Sequence, residues 1–158
     1  MSKQPDMQHQ LVGTRIASFL DLWSLQSQKG YVVSTLGIIF TSDNAVVPDI
    51  VWFSNERYAA ALLPDEKFHS CPELVIEILS PGSENRRRDR ETKRKLYSRR
   101  GAEEYWIASW QERRIEVYLR ENAVLTLDRT LTGNDGLETT PLPGFRCKVG
   151  EFFTNILR

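Results

Sequence analysis

The sequence predicts a mixed α/β domain in which a β-sheet carries helices on its faces, and three observations lead there. The predicted elements run helix, hairpin, strand, helix, strand, strand, an order that interleaves the two classes instead of segregating them. Leu74-Val-Ile-Glu-Ile-Leu79 is a short apolar run bounded by Pro72 and by Ser80-Pro-Gly-Ser83, the length and punctuation of an interior strand. One carboxylate, Glu77, stands in the middle of that run. An isolated ionised carboxylate inside a sheet costs several kcal/mol unless a metal, a cation or hydrogen-bond donors meet it, so a strand built this way has a use for the charge.

The elements follow in chain order. Val12, Ile16, Phe19, Leu20 and Trp23 recur at helical spacing between about residues 7 and 28, which predicts an amphipathic helix that Gly30 ends. Tyr31–Phe40 and Ala45–Phe53 are rich in β-branched and aromatic residues, and Thr41-Ser-Asp-Asn44 between them predicts a hairpin whose second strand carries Pro48-Asp49. Residues 54–71 are polar and irregular, with a short helix expected near Glu56–Leu62. After the Leu74–Leu79 strand, Ser83 as N-cap and Gly101 as the residue past the last turn frame a helix over 84–100. Glu104–Ser109 and Arg114–Leu119 read as strands joined by Trp110-Gln-Glu-Arg113, and Ala123–Leu131 continues the meander. A turn-rich tail closes with a short helix over Val149–Leu157.

The chain of 158 residues is expected to form a single domain, 1–158, a size that buries roughly 70% of the unfolded surface in one core. Its 21 basic and 21 acidic residues cancel, yet residues 84–100 hold nine Lys/Arg against three Asp/Glu, a local excess of 9 − 3 = +6. Cys71 and Cys147 show neither metal-type spacing nor the density of a disulfide framework, and read as ordinary reduced thiols. The first ten residues contain no apolar signal core, and no run approaches the roughly 18 apolar residues of a membrane span. The expectation is a cytoplasmic protein with no membrane partner.

Within the basic helix Asp89, Lys93 and Tyr97 are spaced i, i+4, i+8, so they share one face and lean toward the strand end that launches the helix. A lysine is thereby aimed at the strand carboxylates. Phosphodiester hydrolysis needs a water made nucleophilic at neutral pH and compensation of charge at phosphorus, and a hard cation held by oxygen ligands supplies both. Asp49 and Glu77 offer such oxygens from neighbouring strands, with the Ile78 carbonyl as a third ligand, and Lys93, held by Asp89, is placed to orient the water or oppose the developing charge. Each residue has a plainer reading. Pro48-Asp49 suits a turn, Glu77 an arginine of the next helix, Lys93 a solvated basic face, and Tyr97 packing against the strands. Arg86, Arg87 and Arg88 suit phosphate contacts of a nucleic acid, and equally a solvated helix with internal Glu–Arg pairs. His9 and His69 have no partner at ligand spacing and read as surface residues.

Pro48-Asp49, Glu77-Ile-Leu-Ser-Pro81, Asp89-x-x-x-Lys93-x-x-x-Tyr97 and Gly101-Ala-Glu-Glu-Tyr-Trp106 together resemble the Uma-type restriction-endonuclease domain of the PD-(D/E)XK nuclease superfamily, over about residues 9–153. The resemblance implies a restriction-endonuclease-like fold in which Asp49 and Glu77 bind Mg2+ or Mn2+. The superfamily's usual lysine position falls on Leu79, and Lys93 matches the lysine that the Uma-type pattern carries on the following helix. His9 and the helix after it resemble the family's early helix. The family commonly starts with a further strand bearing a glutamate, and its strand after Tyr105-Trp106 often ends in Asp-Pro, where this chain has Ser109-Trp110. The implied activity is metal-dependent cleavage of DNA; a homodimer formed through exposed apolar strands is a separate expectation. A catalytically silent nucleic-acid-binding or assembly module that keeps the fold is the alternative, and metal binding by Asp49 and Glu77 separates the two.

Overall fold

The structure is a computed structural model that describes residues 6–62, 64–65 and 67–156. Helix α1 (Met7–Ser27) starts at Asp6, whose side chain accepts from the His9 amide at 2.8 Å, and buries His9, Val12, Ile16, Leu20 and Ser24 along one stripe. It ends one step earlier than the glycine signal suggests. Gln28, in the left-handed conformation at φ 56°, closes the helix, and Gly30 opens the first strand instead. Glycine is required there by proximity, because a Cβ would overlap the Phe53 carbonyl and the Trp52 ring.

The expected long hairpin is split in two. Strand β1 (Gly30–Ser34) pairs antiparallel with β4 (Ile50–Ser54), and β2 (Ile38–Thr41) with β3 (Asn44–Val46) forms a separate ribbon at the tip. The interruption has local causes: Thr35 adopts φ 51°, which breaks strand geometry, and Pro48 has no amide to donate to a ladder. Asp49 therefore sits in the bend just ahead of β4, not within a strand. Helix α2 (Asn55–Ala61) follows, capped by Ser54, close to its expected place.

Strand β5 (Leu74–Ile78) is buried along its whole length, antiparallel to β4 and parallel to β6 (Glu104–Ser109). Parallel neighbours need a long crossover, and residues 83–100 provide it as a run of helix. That helix is not uniform. It comprises α3 (Ser83–Arg87), a π-helical stretch (Arg88–Lys93) and α4 (Arg94–Arg100), which Gly101 closes at φ 95°. Gly82, not Ser83, is the N-terminal cap residue; the Ser83 side chain lies outside the described residues. Strands β7 (Arg114–Glu121) and β8 (Val124–Thr132) complete the meander, giving a sheet ordered β1-β4-β5-β6-β7-β8. The tail forms a small ribbon, β9 (Gly136–Leu137) with β10 (Cys147–Lys148), and a 3₁₀ turn over Val149–Phe153 instead of a helix reaching residue 157, which lies outside the described residues.

Strand alternation sends apolar side chains to two separate cores. Ile50, Trp52, Leu74, Ile76, Ile78 and Trp106 pack under α1 and the tail, while Val51, Phe53, Val75, Leu79, Tyr105 and Ile107 pack on the face that carries Tyr97 of the crossover helix. Glu77 lies in phase with Val75 and Leu79, so its carboxylate emerges under the crossover helix. Cys71 and Cys147 are free and buried, and burial pushes both thiols up to about 12, which leaves them unreactive. Among the described residues no helix is long and apolar enough to cross a membrane.

Candidate active site

The site forms where three elements meet: the bend before β4, the middle of β5 and the crossover helix. Ile50 stands opposite Ile76 and Val51 opposite Val75, so the same register continued by one residue sets Asp49 opposite Glu77. Asp49 is tied further along β5 by its Oδ2, which accepts from the Ile78 amide at 2.8 Å. Glu77, 2% exposed, accepts from the Tyr97 hydroxyl at 2.9 Å through Oε1 and faces Lys93 Nζ at 3.1 Å through Oε2. Lys93 Nζ lies 3.0 Å from Asp89 Oδ1, and the Tyr105 hydroxyl donates to the Asp89 carbonyl at 3.0 Å. The face read from the sequence thus converges as expected: Lys93 and Tyr97 both meet Glu77, and Asp89 holds the lysine. The partner of Glu77 is this lysine and a tyrosine, not an arginine. The π-helical stretch delivers Asp89 and Lys93, a local irregularity of the kind often found at functional positions.

The charge balance is uneven. Three carboxylates, Asp49, Glu77 and Asp89, share one ammonium. Burial pushes the Glu77 carboxyl up to about 8 and raises that of Asp89, with the neighbouring carboxylates adding to both and Lys93 opposing. Burial also disfavours the Lys93 charge, but Glu77 and Asp89 outweigh it and hold the ammonium above its ordinary value. Burial is the main cause of both carboxyl shifts, and the raised Lys93 shows that its two carboxylate neighbours outweigh burial at the ammonium. For Asp49 burial acts upward, yet the bonds from His9 and Ile78 win and keep its carboxyl below the usual range.

A hard divalent cation fits this donor set. Among the described residues no three His, Cys, Asp or Glu side chains form a ready cage, but Mg2+ is commonly held by one or two carboxylates, with water and substrate phosphates completing its shell. Glu77 uses two of the roughly four acceptor positions a carboxylate offers. Asp89 Oδ1 is buried without a hydrogen bond of good geometry, having only the nearby ammonium.

Glu77 sets a pH dependence. Its carboxyl ionises near 4.5 when unfolded and near 8 when folded, so between those values the native state holds a proton that the unfolded state has lost, and metal-free stability falls as pH rises. Urea denaturation of the metal-free protein at pH 5 and pH 8 should therefore show a loss in wild type, on the order of 3 kcal/mol, that Glu77→Gln lacks. An equal pH response in both proteins would mean that Glu77 is ionised throughout.

Two sequence expectations change. His9 is buried, not a surface residue: its Nε2 lies 3.4 Å from Asp49 Oδ2, and the bond to Asp49 raises its imidazole above its ordinary value. His69 pairs with Asp65 at 3.0 Å. The resemblance to the family's early helix marked His9 in the sequence, but not its contact with Asp49, because that partner is forty residues away and reached only through the fold. In the basic run, Arg86 reaches Gln111 and lies 3.6 Å from Glu112, and Arg87 pairs with Glu91 at 3.2 Å. Arg90 grips Glu116, and Arg94 donates to the Leu125 carbonyl. Among the described residues Arg88, Lys95, Arg99 and Arg100 have no ion-pair partner and are exposed; Arg100 lies over the Phe40 ring, 5.0 Å from its centroid, which leaves Arg88, Lys95 and Arg99 as the part of the run open to an anion.

Comparison with known proteins speaks to the family and the fold. Residues 1–150 match the family Uma2, described as “Putative restriction endonuclease”. A solved structure from Anabaena variabilis ATCC 29413, described as “a putative nuclease belonging to DUF820”, superposes with a TM-score of 0.77 at 18% identity, covering 97% of this chain and 84% of that one. That likeness establishes a shared fold. No curated protein matches the chain.

Proposed function

The chain belongs to the Uma2 family, described as “Putative restriction endonuclease”, and from that premise we propose that it is a divalent-metal-dependent endonuclease acting on the phosphodiester bonds of DNA. The observation that carries this reading is the convergence of Asp49, Glu77 and Lys93, from three separate elements, on one largely buried, carboxyl-rich point. Asp49 and Glu77 would hold Mg2+ or Mn2+, with the Ile78 carbonyl as a third protein ligand. When bound, the cation supplies a water acidified toward neutral pH and Lewis-acid compensation at the phosphate. Lys93, steered by Asp89, sets a fixed positive charge beside the carboxylate pair, where it opposes the negative charge growing on the phosphate oxygens. Tyr97 fixes the Glu77 carboxylate from below.

DNA is the partner this geometry suits. Arg88, with Lys95 and Arg99, presents exposed cations along the crossover helix, as phosphate contacts require, while Arg86 braces the helix against the turn before β7 and Arg87 is paired with Glu91. A homodimer would join through the sheet edges, where β1 exposes Tyr31 and β8 exposes Val124 and Leu127. The test is single-turnover incubation of plasmid DNA with the protein and Mn2+, with an EDTA control. Conversion of supercoiled to nicked or linear product only with Mn2+ supports the enzyme. Tight DNA binding with no Mn2+-dependent cleavage would favour a silent binding module.

A further inference from the structure

His9 occupies a position that the reaction described above does not use. Its ring is buried in the first turn of α1, where the Asp6 cap fixes the backbone, and its Nδ1 lies 3.3 Å from Gln10 Oε1. Helix α1 lies on the face of the sheet opposite the crossover helix, so Asp49 is gripped from one layer while Glu77 and Lys93 belong to the other. Asp49 is fixed at its backbone too. Its carbonyl accepts from the Thr35 amide at 3.0 Å, and Thr35 holds φ 51°, a conformation a β-branched residue keeps only where its surroundings impose it.

The two carboxylate oxygens of Asp49 are not equivalent. Oδ2 meets both the Ile78 amide at 2.8 Å and His9 Nε2 at 3.4 Å, whereas Oδ1 has no protein partner among the described residues. One oxygen is committed to the protein and the other left over. A cleft of about 190 Å³, lined by His9, Gly13, Thr14, Thr35, Asp49 and Ile78, reaches this pair from solvent. Gly13 keeps α1 close, since a Cβ there would stand 3.1 Å from Ile78 Cδ1. The approach of α1 to β5, the placement of His9 and the orientation of Asp49 are thus one packing arrangement.

We infer that His9 is a positioning residue for the metal site: by holding Asp49 Oδ2 from the α1 side it fixes the carboxylate's rotation and reserves Oδ1 for a divalent cation. The inference rests on the nuclease reading and adds a residue to it that touches neither metal nor DNA. Partners of this kind are worth roughly 10–100-fold in metal affinity. His9→Ala is expected to weaken Mn2+ binding, followed by calorimetric titration of the metal alone, by about that factor. His9→Leu, which fills the space without a donor, should do the same, and His9→Gln, which retains an N–H, should recover most of the affinity. Pulsed EPR of bound Mn2+ should show no directly coordinated imidazole nitrogen. Native affinity in His9→Leu, or a directly coordinated His9 nitrogen, overturns the positioning role. Asp49→Ala in the same titration separates the two ideas: a loss there with none in the His9 variants sinks this inference alone, and no loss in any variant sinks the metal site itself.

Discussion

Glu77→Ala should abolish measurable Mn2+ binding, and Asp49→Ala should do the same, with the fold surviving both. The two carboxylates are the hard donors that meet at the site, and removing one from a set of two or three protein ligands leaves too little to hold a cation that is otherwise well hydrated. The fold survives because neither side chain supplies apolar packing. Glu77→Gln is the sharper companion. It keeps an acceptor for the Tyr97 hydroxyl, which Glu77→Ala would orphan at a cost of about 1–3 kcal/mol, while it removes the charge that burial opposes. The metal-free Glu77→Gln protein should therefore unfold at or above the wild-type temperature at pH 8 and yet bind no Mn2+. A residue whose neutral form is good for stability and whose charged form is needed by a cation is kept for the cation. Calorimetric titration with Mn2+, paired with thermal unfolding, measures both halves. Unchanged affinity in Glu77→Ala and Asp49→Ala alike would remove the metal site from the proposal.

Much of this was legible in the sequence, and the reason differs by element. Leu74–Ile78 announced itself because an interior strand in parallel pairing is apolar on both faces, so the single carboxylate stood out by contrast. The crossover helix was legible through its glycine stop and through a spacing of four that survives even a π-helical stretch, which is why Lys93 and Tyr97 both arrive at Glu77. The hairpin was not resolved correctly, because its β-branched composition is uniform while the break depends on Thr35 entering a conformation that composition disfavours. The contact of His9 with Asp49 was missed for a different reason. A lone histidine carries no periodic signal, and its meaning comes from α1 lying across the strand that carries Ile78. The arginine run was read as one basic face, whereas tertiary partners on β7 and the turn before it take Arg86 and Arg90 out of it.

Lys93→Ala should cut the rate of DNA cleavage by about 100-fold or more, the equivalent of about 3 kcal/mol of barrier for a preorganised charge at the reacting phosphate. The geometry supports this position over its neighbours. Lys93 Nζ stands 3.1 Å from Glu77 Oε2 and 3.0 Å from Asp89 Oδ1, whereas Lys95, two positions on and about 200° around an ideal helix, is exposed to solvent. The same contacts predict a second effect. Removing the ammonium leaves Glu77 and Asp89 buried without their cation, a loss that costs on the order of 3–5 kcal/mol when both stay ionised and less when a proton takes its place. The metal-free variant should therefore be less stable than wild type, by a margin that shrinks toward low pH, where the carboxyls protonate, and shrinks again on adding Mn2+. A surface lysine gives none of these signatures, which makes Lys95→Ala the internal control. Single-turnover cleavage of plasmid DNA in Mn2+, with urea denaturation with and without the metal, reads out both effects. Normal cleavage by Lys93→Ala beside an inactive Lys95→Ala would mean that the helix presents a different face to the phosphate and that Lys93 serves only to neutralise buried carboxylates.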